Sequence, residues 1–323
     1  MKAVVQDSYG PTEVLQLRDI DQPRLADDEV LLRVGAAGVD PGVWHLMTGL
    51  PYPVRLAGYG LRAPKMPVPG MDVAGVVQAV GRNVTRFEPG DQVFGIGKGC
   101  FAEYARARED KLVRKPADLT FEQAAVIAIS GLTALHGLRD QARVEPGQTV
   151  LVVGASGGVG SYAIQIAKAF GAHVTGVCSS TKMDLVRSLG ADHTIDYTRD
   201  EFADGKRHFD VILDVGGNSR LTRLRRALAS RGNLVIVGGE GGGRWLGGLD
   251  RQLRAVALSP FVSQKLVTLF PNENHQDMIV LRELIQAGKV MPAIDRVYPL
   301  TEAGKAIDYV ADGNARGKVA IAV

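Results

Sequence analysis

The stretch that decides the fold runs Val150-Leu151-Val152-Val153-Gly154-Ala155-Ser156-Gly157-Gly158-Val159-Gly160. It reads as an apolar strand that enters a glycine-rich turn. Glycines let the backbone turn sharply and approach a pyrophosphate, and the N–H groups and positive dipole end of a following helix attract anions. The turn residues expected to contact such a ligand are Ala155, Ser156, Gly157, Gly158, Val159 and Gly160. Glycine spacing alone is weak support, because Ala155 stands where the first glycine of the fingerprint usually lies.

The sequence after the turn strengthens this interpretation. Apolar residues between Ile164 and Phe170 form one face of a helix that ends at Gly171, a residue suited to a left-handed cap. A second strand, His173–Cys178, completes a βαβ unit of the length expected for dinucleotide binding. The alternative is a glycine turn that serves tight packing alone.

The end of the second strand indicates which dinucleotide fits. An NAD site usually carries Asp or Glu there to bond the ribose 2′-hydroxyl, whereas an NADP site replaces that acid with donors or cations. The chain reads Cys178-Ser179-Ser180-Thr181-Lys182, with no acid. The hydroxyls of Ser179 and Ser180 and the ammonium of Lys182 are therefore expected to bind the 2′-phosphate of NADPH, with Cys178 beside them. Alternatively, Ser180 caps the next helix and Lys182 is a solvated first-turn residue.

Composition narrows the class of protein. The chain has 323 residues and a formal net charge of +3, which is too small to predict a nucleic-acid or anionic-membrane partner. Its two cysteines, Cys100 and Cys178, lie far apart in sequence, which favours a reducing compartment. We find no signal-peptide pattern and no run of about eighteen apolar residues that would span a bilayer. These features predict a cytoplasmic protein without a membrane partner.

The pattern of strand-like and helix-like runs changes twice along the chain, which predicts two domains. Residues 1–121 carry short strand-like runs broken by Gly and Pro, as in a compact antiparallel β domain. Residues 122–269 alternate strands and helices, which indicates an α/β fold with a doubly wound parallel sheet. Residues 270–323 contain a helix and two strand-like runs, and we expect them to return to the first domain. The glycine-rich stretch from Gly238 to Gly248 is expected to form a mobile loop near the carboxyl ends of the sheet.

Several further segments carry a family resemblance. They are Ala36–Pro41, Val68–Val77, Phe87–Gly95, Ser130–Ala134 and Leu189–Asp192, together with the glycine turn. With them the chain resembles the medium-chain dehydrogenase/reductase superfamily, on its zinc-free quinone oxidoreductase (zeta-crystallin-like) side. The resemblance implies a GroES-like catalytic domain, formed by residues 1–121 and 270–323, around a Rossmann NADP(H)-binding domain at 122–269. It also implies an active site in the cleft between the two domains, and commonly a homodimer.

The residues argue against a zinc site like that of the alcohol dehydrogenases in this superfamily. By the resemblance, Asp40 stands where those enzymes place a cysteine ligand, and Gly70-Met71-Asp72 replaces their Gly-His-Glu. The six histidines show no metal-like spacing, and two distant cysteines cannot form a structural zinc site. We therefore expect no bound metal.

The resemblance also assigns catalytic candidates. Asp40 matches a position near the nicotinamide ribose where similar enzymes often carry Asn, although an Asp that caps a turn before Pro41 is an equal alternative. Tyr52 resembles a cleft tyrosine that orients the substrate carbonyl or donates a proton, or else it anchors its loop. Thr133 would face the nicotinamide, or it serves helix capping or packing. The other residues expected to line the cofactor groove are Tyr197, Val215, Val237, Gly238, Gly239 and Phe270.

The expected function is a zinc-independent hydride transfer from NADPH to a quinone or an α,β-unsaturated carbonyl. Such acceptors need no Lewis acid, because the hydride produces a delocalised anion that a modest hydrogen-bond donor can stabilise. Two alternatives remain open. One is a dinucleotide-binding protein with little turnover that acts as a redox sensor or structural protein, and the other is an enoyl-thioester reductase.

Overall fold

The computed structural model describes residues 1–239, 243–269 and 273–323. The chain divides into two compact units. The first comprises Met1–Ser130, Glu273–Gln286 and Pro292–Val323, and the second comprises Gly131–Asn272 and Ala287–Met291. The first unit thus continues past residue 121, and the short segment Ala287–Met291, which follows Glu273–Gln286, belongs to the second unit. The division into a catalytic and a cofactor-binding domain stays a prediction.

Strands and helices follow one another along the whole described chain. The strands are β1 Lys2–Val5, β2 Gln16–Asp19, β3 Glu29–Val39, β4 Asp72–Val80, β5 Gln92–Ile96, β6 Tyr104–Arg108, β7 Leu112–Arg114, β8 Thr149–Val153, β9 His173–Cys178, β10 His193–Asp196, β11 Phe209–Asp214, β12 Leu228–Ile236, β13 Lys265–Thr268, β14 Ile294–Pro299 and β15 Lys318–Ala322. The helices are α1 Pro41–Thr48, α2 Phe121–Ala124, α3 Ala128–Leu135, α4 Gly158–Ala169, α5 Met183–Ser188, α6 Leu221–Ala227, α7 Gly243–Leu246, α8 Leu249–Leu258, α9 His275–Gln286 and α10 Ala303–Ala311.

The first unit is built on a seven-stranded sheet. Its order is β14-β15-β3-β4-β5-β7, with β6 paired to β3. All pairs are antiparallel except β14 with β15. The C-terminal strand β15 pairs with β3, so the tail of the chain completes the sheet that its beginning starts, as expected. Side chains of Val30, Leu32 and Val34 alternate along β3 into one apolar core.

The second unit is built on a six-stranded sheet in which every pair is parallel. Its order is β10-β9-β8-β11-β12-β13. The central strands are buried on both faces, which explains why β8 reads as a continuous apolar run instead of an alternating one. The expected α/β fold, a β-rich domain with a doubly wound parallel sheet, is confirmed.

Two features of the fold bear on expectations from the sequence. The helical stretch Phe121–Ala142 is long and apolar enough to cross a bilayer by length and composition, but 78% of the tested window is buried inside the molecule, as in a core helix. The stretch from Gly238 to Gly248 is not an irregular loop throughout, because Gly243–Leu246 forms the short helix α7.

Candidate active site

The glycine turn between β8 and α4 is shaped by contacts that leave no space for side chains. Gly154 has a φ of +85°, a conformation that favours glycine. A Cβ on Gly160 would lie 2.2 Å from the carbonyl oxygen of Gly154, so the first turn of α4 packs directly on the strand end. Gly157 caps the helix without a side-chain hydrogen bond. The first N–H groups of α4 have no intrahelical partner and are available to an anion.

Two residues of this turn face the protein interior. The N–H of Ala155 donates to the carbonyl oxygen of Val177 (3.0 Å), and its side chain is fully buried against Gly176. Ser156 is also buried. Gly157, Gly158 and Val159 are partly exposed.

The turns that follow three strands of the parallel sheet, β8, β11 and β12, contact one another through backbone atoms. A Cβ on Gly154 would lie 2.8 Å from the nitrogen of Gly216, and a Cβ on Gly238 would lie 2.3 Å from the carbonyl oxygen of Val215. The turns after β8, β11 and β12 are therefore in close contact, and the predicted residues Val215, Val237, Gly238 and Gly239 are partly exposed on them. This bare backbone surface at the carboxyl edge of a parallel sheet fits an extended dinucleotide.

The segment after β9 lies beside the end of β10. Asp196 pairs in register with Cys178, and the N–H of Tyr197 donates to the carbonyl oxygen of Cys178 (3.1 Å). The exposed Tyr197 side chain therefore follows the strand that adjoins the Ser179–Lys182 segment. Cys178 itself is buried, and burial raises the pKa of its thiol to about 11.

Sequence reasoning missed an acid in this region. Asp196 accepts hydrogen bonds from the hydroxyls of Ser180 (2.5 Å) and Thr198 (2.7 Å) and from the N–H of Thr198 (3.0 Å). These bonds, that from Ser180 first, hold the pKa of Asp196 below its usual value, so it is a carboxylate. Ser180 thus binds Asp196 and does not cap the next helix, whose N-cap has no side-chain hydrogen bond. The signal was the parallel pairing of β9 and β10, which places the two strand ends side by side.

Asp40 begins helix α1. One carboxylate oxygen accepts the N–H of Gly42 (2.8 Å), which is the capping role considered from the sequence. The other oxygen is buried and has no hydrogen-bond partner within the described chain. The carboxylate therefore keeps one oxygen for a further donor.

Tyr52 lies just beyond the other end of α1. The guanidinium of Arg55 stacks over the Tyr52 ring at 5.1 Å and over the Tyr9 ring at 4.5 Å. The same guanidinium donates to the carbonyl oxygen of Gly49 (2.9 Å), the left-handed residue that ends α1. Arg55 thus fixes the Tyr52 ring against the C-terminal end of the helix.

Thr133 is a buried residue of helix α3 and belongs to the second unit, whereas Asp40 and Tyr52 belong to the first. Phe270 lies outside the described residues.

A buried network in the first unit was also missed. Lys318 donates to the hydroxyl of Ser130 (3.0 Å) and lies 3.7 Å from Asp72, whose other oxygen accepts the N–H of Ile129 (2.9 Å). Burial raises the pKa of Asp72 to about 7, with the Lys318 charge opposing the rise and the Asp40 charge adding to it. The sequence identified Asp72 only as a difference from the zinc enzymes.

The described residues include six histidines and both cysteines as candidate metal ligands. Within them there is no group of three or more His, Cys, Asp or Glu side chains that could hold a metal ion.

Comparisons with known proteins place the chain in a family. Residues 26–117 match the family described as Alcohol dehydrogenase GroES-like domain, and residues 189–321 match the family described as Zinc-binding dehydrogenase. Human quinone oxidoreductase is 33% identical over 331 residues, which cover 99% of this chain and 97% of that relative. The chain belongs to the medium-chain dehydrogenase/reductase superfamily.

Two further similar proteins support this membership. The 2-methylene-furan-3-one reductase of Solanum lycopersicum is 33% identical over 337 residues, covering 99% of this chain and 79% of that relative. A mycobacterial protein solved in complex with NADPH matches 100% of both chains with 26% identity and a TM-score of 0.85. The resemblance found in the sequence is confirmed, and this superfamily member is a dinucleotide-binding oxidoreductase that acts on a small molecule.

Proposed function

We propose that this oxidoreductase transfers a hydride from NADPH to a quinone or an α,β-unsaturated carbonyl without a metal ion. The proposal rests mainly on one observation. The N-terminus of α4 has no side-chain cap, and it adjoins the turns after β8, β11 and β12, which contact one another through backbone atoms. The names of the human and tomato relatives, a quinone oxidoreductase and a 2-methylene-furan-3-one reductase, support the choice of acceptor.

The binding surface is divided between backbone and side chains. The N–H groups at Gly158 and Val159 would hold the pyrophosphate, because they are unpaired within the helix and lie at its positive dipole end. The turns Val215–Gly217 and Val237–Gly239 would line the groove towards the nicotinamide. A side chain at Gly154 or Gly238 would collide with neighbouring backbone, which fits a surface that a flat ligand approaches closely.

We assign the preference for NADPH to the segment after β9. Ser179 and Lys182 lie on this segment, and the exposed Tyr197 follows the neighbouring strand. The oxygens of the Asp196 carboxylate, whose side chain is 5% exposed, already accept hydrogen bonds from Ser180 and Thr198, so Asp196 is not offered to a ribose 2′-hydroxyl as the acid of an NAD site would be. The structure of a mycobacterial relative contains NADPH, which supports the preference for NADPH.

Bound NADPH supplies the hydride. The remaining chemistry is electrostatic and belongs to the chain. The Tyr52 hydroxyl would donate a hydrogen bond to the acceptor carbonyl and stabilise the enolate or hydroquinone anion that forms on the substrate. Asp40 would lie near the nicotinamide ribose, and Thr133 would contact the nicotinamide side of the site.

A substrate screen tests the proposal. Oxidation of NADPH and NADH would be followed over quinones, enals, enones and enoyl thioesters, with and without a chelator. We expect NADPH turnover with quinones or enones that the chelator leaves unchanged. Binding of NADPH without turnover of any acceptor would contradict the proposed activity, and turnover of enoyl thioesters alone would contradict the proposed substrate class.

Cofactor preference needs its own variants. In Lys182→Ala the KM for NADPH should rise about 10-fold or more while the KM for NADH stays unchanged, because a charge-assisted bond to phosphate is lost. Lys206→Ala, an exposed lysine of the same unit, is the matched control. Equal use of both cofactors by the unmodified protein would contradict the preference.

We also propose a homodimer. Leu253, Val256 and Ala257 recur at helical spacing and are exposed along α8. Pro260 and Phe261 follow the helix and are also exposed, Phe261 to 83%. Strand β13 lies at the sheet edge, where a second copy can pair. Sedimentation should show a dimer that Leu253→Glu dissociates, whereas Leu56→Glu, at an exposed leucine of the first unit, should not.

The proposed location is the cytoplasm. Cys100 and Cys178 are both free and buried, which suits a reducing compartment. Fractionation of cells that express the full chain tests this, and recovery with the membrane pellet would contradict it.

A further inference from the structure

Arg251 joins two strand ends of the second unit. It lies in the first turn of α8, and its side chain is 12% exposed. Its guanidinium donates to the carboxylate of Asp214, to the carbonyl oxygen of Ser219 (3.0 Å) and to the carbonyl oxygen of Gly238 (2.7 Å). Asp214 ends β11, and Gly238 lies in the turn after β12. One buried cation therefore holds both turns.

Gly238 belongs to one of the turns proposed to line the cofactor groove, and Asp214 and Ser219 flank the other, Val215–Gly217. The fully buried Asp214 also accepts the N–H of Gly217. Its carboxylate therefore connects Arg251 to the turn Val215–Gly217. Gly238 packs directly against Val215, because a Cβ on Gly238 would lie 2.3 Å from the Val215 carbonyl oxygen. A shift of either turn would change the backbone surface that the other turn and Gly154 complete.

Gly239 and Gly248 allow the start of α8 to pack closely on the turn after β12. A Cβ on Gly248 would lie 2.5 Å from the carbonyl oxygen of Gly239, and Gly248 has a φ of +82°. The start of α8 therefore packs directly on the turn after β12. This close packing is what brings Arg251, three residues further along, within reach of all three acceptors.

We propose that Arg251 is a positioning residue for the dinucleotide, an inference that rests on the proposed function. It holds the turns Val215–Gly217 and Val237–Gly239 at the spacing that the cofactor requires. The role needs the planar fork of arginine, since one guanidinium serves a carboxylate and two carbonyl oxygens in different directions. A lysine would keep the charge beside Asp214 and would lose the simultaneous ties to Ser219 and Gly238.

The test compares three variants by fluorescence titration with NADPH and by thermal unfolding. Arg251→Lys keeps the cation, and the double variant Asp214→Asn, Arg251→Met removes both buried charges. Arg254→Lys is the matched control, because Arg254 lies on the same helix, is 77% exposed and pairs with Asp250. We expect the Kd for NADPH to rise about 10-fold in both Arg251 variants, the size of one or two lost hydrogen bonds to a charged group, with Tm lowered by a few degrees.

The KM for NADPH should rise more than kcat falls, and Arg254→Lys should match the unmodified protein. If the double variant folds and binds NADPH as tightly as the unmodified protein, Arg251 serves only to neutralise Asp214 and the inference is wrong. An unchanged Kd in Arg251→Lys would contradict it equally. If the unmodified protein binds neither NADPH nor NADH, the proposed function itself fails, which is a separate result.

Discussion

The ammonium nitrogen of Lys318 lies 3.7 Å from a carboxyl oxygen of Asp72, and both side chains are almost completely buried. The two residues stand on β15 and β4 of one sheet, and Lys318 also binds Ser130 while Asp72 binds the N–H of Ile129. Both partners thus reach the start of helix α3. The pair therefore links strand β15 to the first turn of α3, within the first unit.

We expect Lys318→Met to destabilise the protein by about 3 kcal/mol, because it leaves the buried Asp72 carboxyl without its cation. The double variant Asp72→Asn, Lys318→Met should recover part of this loss, since no buried acid remains. Urea unfolding measures both free energies. A single variant as stable as the unmodified protein would show that the pair contributes nothing.

Asp72 also predicts a pH dependence. Burial raises its pKa in the folded state to about 7, from 3.8 in the unfolded chain; Lys318 opposes the rise, and Asp40 and Glu273 add to it. Between these values the folded protein binds a proton that the unfolded chain has released. The contribution of Asp72 to stability is therefore largest below pH 4 and is lost as the pH rises towards 7.

The comparison of unmodified protein with Asp72→Asn isolates this effect, because the other titrating groups are shared. The difference in unfolding free energy should move against the unmodified protein by up to about 1.4 kcal/mol per pH unit between pH 4 and 7. A pH-independent difference would mean that Asp72 titrates normally.

Two glycines of the phosphate turn should respond differently to alanine. Gly160→Ala places a Cβ 2.2 Å from the Gly154 carbonyl oxygen, so we expect a loss of about 1–3 kcal/mol of stability from overpacking. Gly157 has a φ of −86° and only Gly154 O at 3.5 Å near its Cβ position, so Gly157→Ala should fold normally. Its methyl group would nevertheless occupy the open end of α4 and weaken NADPH binding. Thermal unfolding and NADPH titration of the two variants measure both effects, and tight NADPH binding by Gly157→Ala would argue against a phosphate at this helix end.

How far the sequence predicts the site depends on how local its signals are. The β8 strand, the glycine turn and α4 were predictable because hydrophobic runs and glycines act on their immediate neighbours. The bond between Ser180 and Asp196 spans 16 positions, that between Arg251 and Asp214 spans 37, and that between Lys318 and Ser130 spans 188. Such pairs arise when the sheets assemble, so no local pattern marks them. Asp40 shows the same limit: the sequence offered two roles, the structure shows the capping bond from the N–H of Gly42, and the place near the nicotinamide ribose stays a prediction.

Tyr52 is the proposed hydrogen-bond donor to the substrate carbonyl. In Tyr52→Phe the ring should stay in place, because Arg55 stacks on its face and is itself fixed by the carbonyl oxygen of Gly49. We expect kcat with an enone to fall about 100-fold, the usual effect of losing a general acid or carbonyl donor, with the KM for NADPH unchanged. Tyr59→Phe, in the same segment but exposed, should leave kcat as it is. Quinones should be affected less than enones, since their anions need less stabilisation. Full activity of Tyr52→Phe on enones would transfer the donor role to water and leave Tyr52 as an anchor of its loop.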